Sequence, residues 1–429
     1  MADRSYARGA RILSIGIAST GLFTFAYFAV ASHVLEPAAY GDVSTLWAVL
    51  FVVISVIYRP VEQLLSRTIA RRRALGVAHQ QLGVPLAIQG GFAATFLVVA
   101  LALRPQLEDL FGSSQLYWIF VGATLAYAAS YFARGFFAGH SWFALYGGLV
   151  LFESVSRFCF PVAVAVGIAS GQTAVALGIL AAPVASLLLV PAGLARHQRR
   201  ADPPLGEQQQ LSLRAGASFA AAVAGIQLAE QALLNAAVLT VRGTAGAVLA
   251  GVVFNALLIT RAPLQLFQAV QTSLLPHLAG LEATEGHAAF ARALRITLLA
   301  IAGFAAAVAL GLLAIGPWAM DLVFGKGYTY GRAGLAVVAV GMGFHLAAGT
   351  LNQAALARGR ARAAALAWFG VAAAFVGWML LPVIDDELLR AEAGYAAATA
   401  TLCGVLWLLE RRATPVPAAP PPPARATAV

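Results

Sequence analysis

Charge is what this chain is short of. Asp, Glu, Lys and Arg make up 11% of its 429 residues, against roughly 25% in soluble domains. Hydrophobic residues make up 60%, and the mean hydropathy is +0.80. These values exclude a soluble globular protein and leave a polytopic membrane protein. Lysine is almost missing: of 28 basic residues only Lys326 is lysine, which with the abundant alanine points to a GC-rich genome rather than to a mechanism. The two cysteines, Cys159 and Cys403, both sit in apolar segments, so neither a disulfide framework nor a cysteine metal cluster is available. The chain lacks a Walker-type glycine loop, an HExxH sequence and a nucleophile elbow, and Gly325-Lys326-Gly327 lacks the spacing of a phosphate loop. No cofactor is expected, and no nucleotide site is present to drive hydrolytic coupling. A net charge of +10 would suggest nucleic acid in a soluble chain. Nucleic-acid binders, however, gather their charge on one soluble face, whereas here the arginines punctuate apolar runs, so no nucleic-acid partner is expected.

What the chain has is twelve apolar runs, each near the roughly 20 residues that cross a bilayer. The first covers about Arg11–Val34. It is too long for a signal-peptide core and lacks a small-residue cleavage site, so it is read as a membrane helix. The second covers about Val43–Leu64, and four more centre near Ala93, Ala126, Val155 and Leu187. The least apolar internal stretch, Arg196–Leu213, then divides the chain, and six further runs centre near Gly225, Ala262, Phe304, Phe344, Val371 and Ala400. The expected organisation is all-α: a six-helix amino-terminal lobe at 1–195, a cytoplasmic inter-lobe loop at 196–213 and a six-helix carboxy-terminal lobe at 214–410. A disordered Pro/Ala-rich tail, with a proline run at 420–423, is expected at 411–429.

Basic residues set the orientation. With a cytoplasmic N-terminus, 21 of them fall in or beside cytoplasmic segments, five fall outside (Arg104, Arg242, Lys326, Arg332 and Arg390), and two, Arg157 and Arg261, lie within the membrane. Both termini are therefore expected in the cytoplasm. Two short echoes between the halves support an internal repeat: Arg59-Pro60 with Arg261-Ala262-Pro263, and Ala133-Arg134-Gly135 with Ala357-Arg358-Gly359.

Polar residues inside spans are costly unless they face protein or water, so their pattern marks an interior. Gln227, Glu230, Gln231 and Asn235 recur at helical spacing on one face of the seventh span, and Arg261, Gln265, Gln268 and Thr272 do so on the eighth, around Pro263. Both faces are expected to line a bundle interior or a cavity.

The loop after the first run, Leu35-Glu36-Pro37-Ala38-Ala39-Tyr40-Gly41, is similar to the LGPxxYG turn of polysaccharide repeat-unit flippases in the multidrug/oligosaccharidyl-lipid/polysaccharide exporter superfamily, departing from it at Glu36. Leu322-Val323-Phe324-Gly325-Lys326-Gly327-Tyr328 resembles that family's LLFGxxY element, and Leu275-Pro276 resembles the proline ending its eighth helix. The resemblance implies two six-helix lobes around a central cavity that opens alternately to each side of a bacterial plasma membrane. The cargo it implies is a polyprenyl-pyrophosphate-linked oligosaccharide moved between leaflets without covalent chemistry. Membrane lipids and polysaccharide polymerase machinery are the further partners it implies.

Pyrophosphate needs cationic donors and sugars need amide and hydroxyl partners. Arg261 is then either a phosphate ligand or the ion-pair partner of Glu230, and Arg157 either a cargo contact or the i,i+4 partner of Glu153. Arg59 and Arg134 either meet the head group near the cytoplasmic ends of their spans or snorkel to lipid phosphate. Gln227, Gln231, Asn235 and Gln265 either bind sugar hydroxyls or bond across helices. His345 and Asn352 form either a proton-linked site or packing, and the acidic run Asp385-Asp386-Glu387 is expected to be a solvated loop. Two other classes stay open. One is a cation-coupled multidrug exporter, against which stand the first span's lack of a carboxylate and the compensation of Glu153 by Arg157. The other is a membrane-embedded polymerase or ligase, which would need a larger external loop than Trp318–Arg332.

Overall fold

In lipid every backbone N–H and C=O must be satisfied within the protein, and a helix does this within one segment. The computed structural model describes residues 2–74, 82–191, 213–262, 287–325, 327–358 and 360–412, and these fold as helices joined by short turns, with no strand among them. The helices are α1 (Ala2–Val34), α2 (Pro37–Ile57), α3 (Arg59–Ala74), α4 (Gly83–Ala102), α5 (Arg104–Phe111), α6 (Ser114–Gly139), α7 (Phe143–Ala165) and α8 (Gly171–Ser186). They are followed by α9 (Leu213–Ala245), α10 (Ala247–Ala262), α11 (His287–Phe324), α12 (Arg332–Ala357), α13 (Ala361–Leu380) and α14 (Glu387–Arg411). Ten segments are long and apolar enough to cross a membrane, with α2 and α3 counted as one. Adding α1 and the shorter apolar α10 gives the twelve crossings that the apolar runs predict.

Three differences from the sequence reading have local causes. The sixth crossing, Gly171–Leu189, lies earlier than expected, and its last residues wind into a 3-10 turn, Leu187–Leu189. The eight-residue α5 is too short to leave a periodic signal; it ends at Gly112, whose φ of 71° is the left-handed conformation glycine adopts freely. The acidic run is structured rather than a solvated loop. Asp386 caps α14 by accepting from the Leu388 and Leu389 N–H groups, and Glu387 pairs with Arg390 at 3.2 Å. The inter-lobe stretch at 196–212 and the tail beyond 412 lie outside the described residues.

Helices α1 to α8 pack among themselves through α1 with α7, α7 with α8, and α6 with α3 and α8. Helices α9 to α14 do so through α12 with α11 and α14, and α13 with α9 and α14. The two groups meet mainly where α9 runs along α2 and α3. Helix α11 is exceptional: it has 38 residues, and 22% of its most apolar window is buried.

At the end of the bundle where α1 gives way to α2, here called the distal end, the groups are sealed. Phe28 meets Phe254 edge-on at 4.6 Å, Tyr40 meets Tyr328 at 4.9 Å, and the Tyr40 hydroxyl donates to Asn255 Oδ1. Arg242 pairs with Asp42 at 2.8 Å and also donates to the Leu110 carbonyl at 3.0 Å. The two motifs that carry the family resemblance, around Tyr40 and Tyr328, thus touch each other across this seam. Gly41 is part of it: a Cβ there would lie 2.0 Å from the Ala247 carbonyl oxygen. Gly41→Val is therefore expected to push α2 and α10 apart. Spin-label distances across the distal end should lengthen in the purified protein, and an unchanged distribution would show that the close approach is dispensable.

Candidate functional site

Below the seam, charge is gathered in one layer, and local structure places it there. The α2 helix ends at Tyr58 and α3 starts at Arg59, because Pro60 has no N–H to continue the ladder. This break sits at the level where α6 presents Tyr127, Ser130, Tyr131 and Arg134 on one face and α7 presents Glu153 and Arg157 on one of its own. Helices α3 and α6 come close because Gly135 faces backbone: a Cβ there would sit 2.8 Å from the Glu62 carbonyl oxygen.

Glu153 is the hub of the amino-terminal half of this layer. Its Oε2 accepts from Arg134 Nη2 at 2.5 Å and from the Ser130 hydroxyl at 3.1 Å, and its Oε1 accepts from Arg157 Nη2 at 3.3 Å. Arg157 also donates to Thr24 and Tyr127, each at 3.3 Å, and lies 4.3 Å over the Trp47 ring. Arg134 lies 4.5 Å from the Tyr131 ring centre. Arg134, Arg157 and Glu153 are all buried. Arg134 is thus held inward by a carboxylate rather than snorkelling to lipid, and Arg157 is the i,i+4 partner of Glu153. Glu62 accepts from the Tyr146 hydroxyl at 2.7 Å and feels the charges of Arg134 and Arg59.

Arg59 is different. Charges and hydroxyls of Glu230, Tyr131, Glu62 and Tyr146 surround it, yet it keeps exposed surface. Its Nη1 donates to Gln227 Oε1 at 3.1 Å, and Gln227 Nε2 donates onward to Glu230 Oε2 at 3.2 Å. One amide therefore links an arginine of α3 to a carboxylate of α9.

Arg261 is half-buried on α10, 5.9 Å from the Phe51 ring of α2. Among the described residues it makes no hydrogen bond and no ion pair, although the charges of Glu230 and Arg59 act on it. The direct Arg261–Glu230 ion pair is thus not formed: the Glu230 hydrogen bond comes from Gln227. Arg261 lies 14 residues into α10 and Gln227 14 residues into α9. Each side chain therefore leaves its helix about 21 Å along from that helix's first residue.

Other residues singled out by the sequence take quieter places. Asn235 donates to the Gln231 side-chain and backbone carbonyls, both at 3.1 Å, so the buried Asn235 amide is bonded within α9. His345 packs against Trp368 at 5.6 Å and Tyr395 at 6.4 Å, as a bundle histidine does. Gln265 lies outside the described residues, as do Gln268, Thr272, Leu275-Pro276 and Lys326. Sequence reasoning missed Glu62 and the aromatic lining Trp47, Tyr127, Tyr131 and Tyr146. Glu62 could have been found as the carboxylate one helical turn after Arg59; the aromatics carry no signal that separates them from ordinary core.

The fold is that of solved MATE transporters. The chain superposes on an inward-facing multidrug resistance MATE family transporter of the MOP superfamily with a TM-score of 0.74 and 12% identity, covering 93% of this chain and 97% of that one. Against an outward-facing multidrug resistance MATE family transporter the TM-score is 0.67 with 14% identity, covering 95% and 94%. A third similar structure is a MOP superfamily transporter from Pyrococcus furiosus, described as having a binding pocket of reverse polarity that suggests a different function. Its TM-score is 0.65 with 14% identity, covering 95% and 94%. No family model matches the chain, and no curated protein matches it in sequence.

The hub generates a stability prediction. Glu153→Gln takes from two buried guanidiniums the carboxylate they share and is expected to cost about 3–5 kcal/mol. A large drop in the detergent unfolding midpoint checks it. Arg157→Met, which leaves Glu153 its Arg134 partner, should cost clearly less.

Proposed function

We propose that this MATE-fold chain is a flippase that carries an anionic, lipid-linked oligosaccharide across a bacterial plasma membrane by alternating access. The observation that carries the reading is the sign and accessibility of the charge layer. Arg59, Arg134, Arg157 and Arg261 face Glu62, Glu153 and Glu230, an excess of one positive charge. The two arginines that keep exposed or half-exposed surface, Arg59 and Arg261, belong to opposite halves of the molecule. A guanidinium fork suits phosphate oxygens, and a buried charge layer of this sign attracts an anion and repels a cationic drug. Gln227 and the tyrosines around Arg59 supply partners for sugar hydroxyls, while the polyprenyl tail stays in lipid.

With the N-terminus cytoplasmic, the sealed distal end faces outward, and the chain adopts the state that accepts cargo from the cytoplasmic leaflet. The better superposition on the inward-facing structure accords with this. Membrane lipids and the polymerase that extends the polysaccharide outside are its proposed partners.

A second reading, a multidrug exporter, draws support from the two multidrug resistance transporters of the same fold and from Glu230 as a carboxylate able to take a coupling cation. The first measurement separates them. Cells with and without the protein are compared using a membrane-impermeant probe of polyprenyl-pyrophosphate oligosaccharide. Loss of the outward-facing pool is expected without the protein, and Arg261→Lys, which keeps charge but loses the fork, should restore it only partly. An unchanged pool in cells without a redundant flippase, together with increased drug sensitivity, would favour the exporter.

A further inference from the structure

The carboxylates of the charge layer are not held alike. Glu153 has two arginines and a serine, and Glu62 has a tyrosine hydroxyl at 2.7 Å. Among the described residues Glu230 has one hydrogen bond, the 3.2 Å contact from the neutral Gln227 amide, and it is only half-buried. Its charge nevertheless acts on Arg59 of α3 and Arg261 of α10, and neither arginine forms an ion pair among the described residues. A weakly tethered anion, linked to Arg59 through Gln227, is thus near enough to act on two cations from opposite halves of the molecule.

Two guanidiniums facing each other across a seam repel, and more strongly in a low-dielectric interior than in water. An anion between them lets the halves stay together while the site is empty. A pyrophosphate diester carries about two negative charges, and the layer without Glu230 has an excess of two positive ones, so cargo and Glu230 are alternatives at the same pair of arginines.

Building on the anionic-cargo reading, we propose that Glu230 is an internal stand-in for the cargo phosphate: it partly offsets the charge of Arg59 and Arg261 in the empty transporter, yields them to the incoming pyrophosphate, and returns to expel it. Gln227 is the positioning residue, its amide holding the carboxylate toward Arg59 while donating nothing to Arg59 itself. The stand-in lowers affinity and in exchange makes release possible, which a carrier needs as much as capture.

The test uses the full-length protein in lipid nanodiscs with farnesyl pyrophosphate as a short polyprenyl pyrophosphate probe and farnesol as the uncharged control. Glu230→Gln is expected to bind farnesyl pyrophosphate about tenfold tighter, chiefly through slower dissociation, with farnesol binding unmoved. Glu230→Asp, which keeps the charge, should stay within about threefold of the unsubstituted protein. The double variant Glu230→Gln with Arg261→Ala should lose the gain. Gln227→Met, which releases the carboxylate from its alignment, is the independent variant and should tighten binding about threefold even where Glu230→Gln does not assemble. If Glu230→Gln and Gln227→Met bind no tighter while Arg59→Ala and Arg261→Ala weaken binding, the stand-in role is overturned and the anionic-cargo reading survives. If the unsubstituted protein binds farnesyl pyrophosphate no better than farnesol, both fall.

Discussion

A guanidinium cannot lose its proton to escape burial, so an arginine inside a membrane protein must find an anion, an aromatic face or an opening to water. The interior of this chain is arranged around that constraint. Arg134 and Arg157 are satisfied by sharing Glu153 and stacking on Tyr131 and Trp47. Arg59 and Arg261 form no ion pair among the described residues and keep exposed or half-exposed surface. The first pair fixes the geometry of α6 and α7 and the second gives the layer its chemistry. Neither pair would be tolerable without the helices that bring it together.

The seam and the layer divide the work between them. Sealing at the distal end relies on contacts of modest strength: ring edges, one tyrosine hydrogen bond, one ion pair and the glycine approach at Gly41. A rigid apolar weld there would trap one state, whereas a set of local contacts can be exchanged for others at the opposite end, as carriers that present one site to two sides require. Tyr40 and Tyr328, one from each of the two motifs, meet each other in this seam.

Much of the fold was legible because lipid imposes a simple rule. Apolar runs near the crossing length became helices, and the polar face of α9 turned inward as its spacing required. The site was legible only in its residues, not in its pairings. Glu153 sits four residues before Arg157, but its shortest bond goes to Arg134 on a neighbouring helix, a partner that no local spacing encodes. The Arg261–Glu230 pair failed for the converse reason: similar depth on successive helices does not fix which way two long side chains point, and Gln227, one turn away on α9, took the carboxylate. Asp386 and Glu387 looked like loop charges because capping and a Thr244 hydroxyl from α9 are visible only in three dimensions.

The length of α11 has a consequence for the membrane itself. From Ile296 to Phe324 the helix is apolar but for Thr297 and Asp321, and it spans about 42 Å at the usual rise, against a hydrocarbon core near 30 Å. Such a helix must lean, or thicken the bilayer beside it. Because α11 packs on α12 and shows most of its surface to lipid, any rocking of that half changes its lean and the bilayer deformation around it. In the proposed alternating-access cycle, bilayer thickness is thereby a mechanical load: a thick membrane favours the arrangement in which α11 stands upright, and a thin one favours the arrangement in which it tilts.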